Sequence, residues 1–136
     1  MFRKILFLVI SIVLIFSISS CQNSSDQHTE DKSETNKTLL EGDWHRTDAG
    51  YRILISKVND DGNLTAQYFN PNPIKVECAN WEESYNNLKV TIELRDFNYP
   101  GSTYRLSYLP DNDIFAGEYF QAVEGITFYF EFSRNK

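Results

Sequence analysis

Hydrophobic and polar positions divide the chain into three stretches. Residues 5–16 are apolar except for Ser11, and residues 22–38 contain no apolar side chain at all. From Leu39 onward, apolar residues recur at every second position in short runs. Clusters rich in Asn, Asp, Gly and Pro separate these runs, among them Asp48-Ala49-Gly50, Asp60-Asp61-Gly62, Asn70-Pro71-Asn72-Pro73 and Pro110-Asp111-Asn112. Period two bounded by turn residues is the signature of antiparallel sheet. It predicts eight strands, at about 42–48, 51–58, 63–70, 73–82, 87–96, 102–109, 113–121 and 125–134. In the fourth, Trp81 falls out of phase with Ile74, Val76 and Cys78. Hairpin-length connections suit an all-β, eight-stranded antiparallel up-and-down barrel, a closure that removes exposed edges. A two-sheet sandwich is the alternative. An eight-stranded barrel has room for packed side chains or one small ligand.

The two earlier stretches have a different character. Arg3 and Lys4 precede the apolar run, which is short of the ~20 apolar residues that a membrane-crossing helix needs and suits an export leader. Ile18-Ser19-Ser20-Cys21 then resembles the lipobox of bacterial lipoproteins, an aliphatic residue and two small residues before a cysteine. The resemblance implies a signal peptide over 1–20, acylation of Cys21, and attachment to a bacterial membrane through that lipid. The membrane would be the outer one if the cell has one, with the domain outside the cytoplasm, in the cell envelope. Residues 21–38 read as a disordered acidic tether, because a segment without apolar side chains cannot offset its chain entropy. The barrel domain occupies 39–136.

Charge narrows the partners. The chain carries 13 Lys and Arg against 19 Asp and Glu, a formal net charge of -6, and loss of the leader would remove Arg3 and Lys4 as well. Nucleic acid and anionic lipid both reward basic patches, so neither is expected as a partner. With Cys21 acylated, Cys78 has no intrachain partner, so no disulfide is expected. Cys78 reads as a small buried apolar residue.

Short motifs within the strand pattern resemble the avidin and streptavidin family of the calycin group. Gly42-Asp43-Trp44 matches the Gly-x-Trp that opens the first strand of those barrels. Arg134 stands where calycins place a basic residue that packs on that tryptophan. Asp61-Gly62-Asn63-Leu64-Thr65-Ala66-Gln67-Tyr68 is similar to the family's Asp-Gly-x-Leu-x-Gly-x-Tyr hairpin, with Ala66 in place of glycine. The resemblance covers 42–136 in layout and implies a barrel. Biotin is not carried over with it. Arg46 stands where the family has an asparagine, Tyr51 where it has a small serine and Asn70 where it has another serine, although Tyr68 matches the family's inward tyrosine. A charged Arg46 and a bulky Tyr51 would fill the space that a bicyclic ring needs.

Alternation assigns the inward faces, taking Trp44 as inward. Arg46 follows it inward, as do Tyr51, Ile53 and Ile55 and, further on, Leu64, Ala66, Tyr68 and Asn70. On later strands the inward sets are Val90 to Asp96, Tyr104 to Tyr108, Phe115 to Gln121 and Ile126 to Phe132, in steps of two. Loops after the odd-numbered strands gather at one end of such a barrel, and these are the chain's Pro- and aromatic-rich loops. The inward polar residues Arg46, Asn70, Asp96 and Gln121 converge on the same end, with Trp44, Phe132 and Arg134 plugging the other. The candidate ligand site is therefore a mouth lined by these four residues with Tyr51, Tyr68, Tyr104 and Tyr119, a mix of aromatic surface and orienting polar groups usual in small-molecule sites. An internal Arg46–Asp96 pair under capping tyrosines is the alternative reading of the same residues.

Catalytic signatures are lacking. The domain's one histidine, His45, alternates outward, no His or Cys spacing suggests a metal, and no nucleophile–His set can be assembled near the mouth. Glu82 and Glu83 are adjacent on a strand and so point to opposite faces. The expectation is a non-enzymatic barrel without cofactor or metal. It would bind a small molecule or short glycan, or else an envelope protein through its loops.

Overall fold

The computed structural model describes residues 36–134, which belong to one compact unit spanning Ser33–Lys136. The expected leader, the expected acylation site Cys21 and nearly all of the expected tether lie outside the described residues. The described chain starts in a 3-10 helix, Lys37–Leu40, whose first turn is capped by the Asn36 side chain accepting from the Thr38 N–H. Nine strands follow. They are β1 Gly42–Arg46, β2 Arg52–Val58, β3 Leu64–Asn70, β4 Asn72–Ile74, β5 Val76–Ser84, β6 Asn87–Asp96, β7 Tyr99–Leu109, β8 Ile114–Gln121 and β9 Ile126–Arg134.

All pairings are antiparallel, and the strand order is β4-β3-β2-β1-β9-β8-β7-β6-β5. The fold is therefore the expected all-β, up-and-down type, a nearly closed barrel. Its two ends meet through the bridge Asn63↔Asn80 and a 2.8 Å bond from the Trp81 N–H to the Gly62 carbonyl. Above that junction, β3 and β5 diverge and leave a wedge between Leu64, Ala66, Val76 and Ala79.

One expected strand became two. The segment predicted over 73–82 breaks at Lys75: β4 folds back on β3, while β5 pairs with β6. Pro71 and Pro73 lack the N–H that a longer ladder would use, which restricts β4 to a short edge strand. Immediately after the break, the β5–β6 register slips between Val76 and Cys78, with Val76 opposite Leu94 and Cys78 opposite Glu93. This bulge reverses the phase of the rest of β5. Cys78 consequently faces solvent, correcting its expected burial, and Ala79 takes its place in the core. The same slip accounts for Trp81, whose indole N–H donates to the Asn59 carbonyl at 2.7 Å.

Elsewhere the alternation sets the core as expected, except at the start of β9, where Ile126 and Phe128, expected inward, are exposed. Trp44, Ile53, Tyr68, Ile92, Leu94, Tyr104, Phe115 and Phe132 are all buried to within 2 %. Burial of such side chains is worth roughly 1.5–3 kcal/mol each. One end of the barrel is sealed. The Trp44 indole N–H donates to the Leu40 carbonyl at 3.0 Å, and the Arg134 guanidinium lies 4.3 Å from the Trp44 ring centroid. Arg134 also donates to Asp113 at 2.9 Å and to the carbonyls of Glu41 and Leu39, tying the last strand to the entering chain.

Candidate functional site

The open end owes its shape to unequal strand lengths. β1 stops at Arg46, opposite Phe132, and one further bond joins the Thr47 N–H to the Glu131 carbonyl at 3.0 Å. Beyond that point β9 continues to Ile126 with β8 as its only described neighbour. The upper β8–β9 hairpin thus stands as a wall at the mouth, carrying Phe128 (41 % exposed) and half-buried Phe130 with their rings stacked at 6.0 Å. Across from it are the ends of β3 and β7. The space between is a cavity of about 300 Å3.

Phenols form the floor. The Tyr68 and Tyr104 hydroxyls lie 3.1 Å apart and share a hydrogen bond, and the Tyr104 ring stacks on Tyr119 at 4.4 Å. Burial pushes the Tyr104 phenol up to about 12, although its bond to Tyr68 works the other way. Burial raises Tyr68 further and also raises Tyr119. All three are thus neutral hydroxyl groups at physiological pH, able both to donate and to accept. Beside them the Asn70 amide donates to the Tyr99 hydroxyl at 2.5 Å.

Arg46 forms one flank. Its guanidinium carbon lies 3.9 Å from the Tyr51 ring centroid and 3.8 Å from that of Phe130. Nε and Nη2 donate to the Asp48 carboxylate at 2.6 and 3.3 Å, and the side chain is only 9 % exposed. Stacking on aromatic faces with a fork-to-carboxylate bond uses both recognition modes of arginine. Its charge is compensated at the site.

The cavity brings together Arg46, Tyr51, Tyr68 and Asn70 with Tyr104, Tyr119 and Gln121, as alternation predicts. Asp96 is the exception. It is exposed, and its carboxylate accepts from the Lys75 N–H at 3.2 Å and the Phe97 N–H at 2.7 Å. The register shift in the β6–β7 ladder inserts Gly101 on β7 and leaves the count along β6 unchanged. Asp96 is the last residue of β6, past its final buried position Leu94, and its carboxylate turns to the Lys75 and Phe97 amides instead of the interior. The internal pair of Arg46 is with Asp48, two residues along its own turn, and not with Asp96. Asn98, Tyr99, Phe128 and Phe130 also line the cavity. Two signals bear on them: Asn98 and Tyr99 belong to an aromatic loop at the mouth end, and the predicted last strand outruns the first. Inward alternation marks Phe128 and Phe130 equally as core, so pattern alone does not separate wall from core.

His45 lies 3.3 Å from the Asp43 carboxylate on the outside of β1. Among the described residues, no group of three His, Cys, Asp or Glu side chains is placed to hold a metal ion. No helix of the described residues is long and apolar enough to cross a membrane. In comparisons with known proteins, no family model, curated protein or solved structure matches the chain.

Proposed function

We propose that the chain is a lipid-anchored envelope protein whose barrel binds a small molecule or short glycan at its open mouth. The observation that carries this reading is the cavity itself. One end of the barrel is sealed by Trp44 and Arg134, while the other leaves phenols, amides and a half-exposed phenylalanine around about 300 Å3 of free space. That is at the lower limit of the ~300–1,000 Å3 usual for small-molecule sites. Biotin is not the ligand in this reading, since the Arg46 guanidinium, held by Tyr51, Phe130 and Asp48, occupies that flank. Without a nucleophile–base pair at the mouth, the reading is of a binding protein and not an enzyme. The anchor rests on the Ile18-Ser19-Ser20-Cys21 motif behind its leader, and two or more acyl chains hold a protein stably on a membrane.

A second reading is an interaction module for an envelope protein. It is favoured by the apolar side chains on mouth-end loops, with Phe97 94 % and Val123 62 % exposed, since binding residues are disproportionately carried on loops that a rigid scaffold positions.

Native mass spectrometry of the full chain, released from membranes after incubation with an extract of the source cells, separates the two. A small added mass that is lost on denaturation, and lost in Tyr68→Phe, supports the ligand barrel. A bare chain, or one shifted only by a whole protein and sensitive to Phe97→Ala and Asn72→Trp instead, overturns it in favour of the interaction module.

A further inference from the structure

The polar groups at the mouth differ in how far they are already used. Arg46 is spent on Asp48 and two rings. Tyr68 and Tyr104 bond each other, and Asn70 bonds Tyr99. Asn98 and Gln121 line the cavity, and neither side-chain amide hydrogen-bonds within the described residues. Each such amide offers two donor hydrogens and an acceptor oxygen. Tyr99 accepts from Asn70, so its own hydroxyl proton is still available to a ligand.

This inventory discriminates between ligand classes. A metal ion would need carboxylates in the lining, and none of the lining residues carries one. An organic cation would need free aromatic faces, and those of Tyr51 and Phe130 are already covered by the Arg46 guanidinium, whose charge would also repel it. An anion would need donors with uncompensated positive charge, whereas the one guanidinium is already neutralised by Asp48. A purely apolar ligand would leave the Asn98 and Gln121 amides desolvated without partners, a cost of about 1–3 kcal/mol for each such group. The remaining class presents both donors and acceptors and no charge, and has an apolar face for the exposed ring of Phe128. A sugar ring fits that description, with hydroxyls around its edge and a face of C–H bonds that suits the negative face of an aromatic ring. The volume admits one ring, or two with the second partly in solvent.

We propose that the mouth takes the neutral sugar end of a short glycan, seated on Phe128 and held by the Asn98 and Gln121 amides and the phenol hydroxyls of the floor. This rests on the ligand-barrel reading and narrows it to one chemical class. The glycan enters end-on, since Arg46 and the Tyr68–Tyr104 pair close the floor.

The test is a titration of the full chain, 15N-labelled, in micelles of a detergent without a sugar head group. The probes are four neutral disaccharides (N,N′-diacetylchitobiose, cellobiose, maltose and lactose) and one acidic disaccharide, glucuronate linked to N-acetylglucosamine. The result expected is saturable movement of the Asn98, Gln121 and Phe128 amide signals with at least one neutral sugar, while Leu40 and Trp44 at the sealed end stay still. Phe128→Ala should weaken that binding about ten-fold and Gln121→Ala about five-fold, as loss of one contact does. Unchanged sealed-end signals would show that both variants fold. Preference for the acidic probe, or no response to any sugar, overturns the assignment to neutral glycans. If sugars fail while the mass-spectrometry experiment still finds a small mass dependent on Tyr68, only the ligand class is wrong. If both fail, the mouth is not a ligand site.

Discussion

Single residues at this barrel do work that their type alone does not announce. Gly117 sits on β8 opposite Leu106, and a Cβ there would stand 2.2 Å from the Arg105 carbonyl oxygen. The obstruction is backbone, so it cannot swing aside as a flexible side chain would. Gly117→Ala is therefore expected to destabilise the domain by about 1–3 kcal/mol, the usual cost of overpacking. Urea unfolding monitored by far-UV circular dichroism would measure it, and an unchanged midpoint would show that β7 and β8 are less tightly apposed. Arg46 illustrates how residue type and site role separate. Period two fixes its inward side, but nothing in the period indicates that Asp48 turns back to neutralise it. Asp96 illustrates the converse, an inward position by count at a strand end, where the Lys75 and Phe97 amides draw its carboxylate outside.

At the scale of elements, the mouth wall exists because β9 outlasts β1. The Thr47–Glu131 bond fixes the phase of the β9 edge. Backbone groups of odd-numbered residues point toward the β1 side, and those of Phe128 and Phe130 point toward Tyr119 and Gly117 on β8. Above Glu131 the β1 side has no strand among the described residues. The Thr127 and Tyr129 amides are accordingly expected to exchange with solvent deuterium at least about a hundredfold faster than those of Phe128 and Phe130. Hydrogen-exchange NMR resolves the four signals. Equal protection would mean that another segment covers this edge. Tyr129, 65 % exposed, and Phe128 make the edge apolar as well as open, a combination that natural sheets ordinarily guard with charge or proline. The β5 bulge is the other element-scale device. By inserting one residue it swaps Cys78 for Ala79 in the core and brings the Trp81 backbone to the closing bond with Gly62.

For the molecule as a whole, the buried phenols link the site to stability. The Tyr104 pKa is raised from about 10 to about 12 by burial, and Tyr68 is raised as well. Below pH 10 both phenols are protonated in folded and unfolded chains alike, so they impose no pH dependence. Above pH 10 the unfolded chain releases these protons while the folded chain keeps them, so unfolding gains and stability falls as pH rises from about 10 toward about 12. Each phenol contributes a slope of at most about 1.4 kcal/mol per pH unit in that window. Tyr104→Phe should remove one such contribution, giving a shallower alkaline loss in chemical unfolding between pH 9 and pH 11. A variant with the same slope as the parent would mean that the Tyr104 phenol ionises as readily in the folded chain as in the unfolded one.

Whatever depends on short-range periodicity was legible along the chain. Alternation in runs of five to ten residues specified an all-β chain, its hairpin order, and the side of the sheet for Trp44, Tyr68, Tyr104, Phe115 and Phe132. Turn residues located most strand ends. From those alone the two barrel ends and seven of the eight expected mouth residues followed, because in an up-and-down barrel the end at which a residue lies depends only on strand direction and position. Whatever depends on register between strands was fixed only when the strands met in the folded barrel. Bulges cannot be read from one strand, since the slipped residue is defined by the partner it fails to face, and so Cys78 and Trp81 were placed only by their neighbours on β6, while Asp96 was placed by the Lys75 and Phe97 amides that its carboxylate meets at the end of β6. Whether inward Phe128 was core or wall depended likewise on where β1 stops beside β9. The cavity is the sum of these mismatches in strand length, which no local pattern encodes.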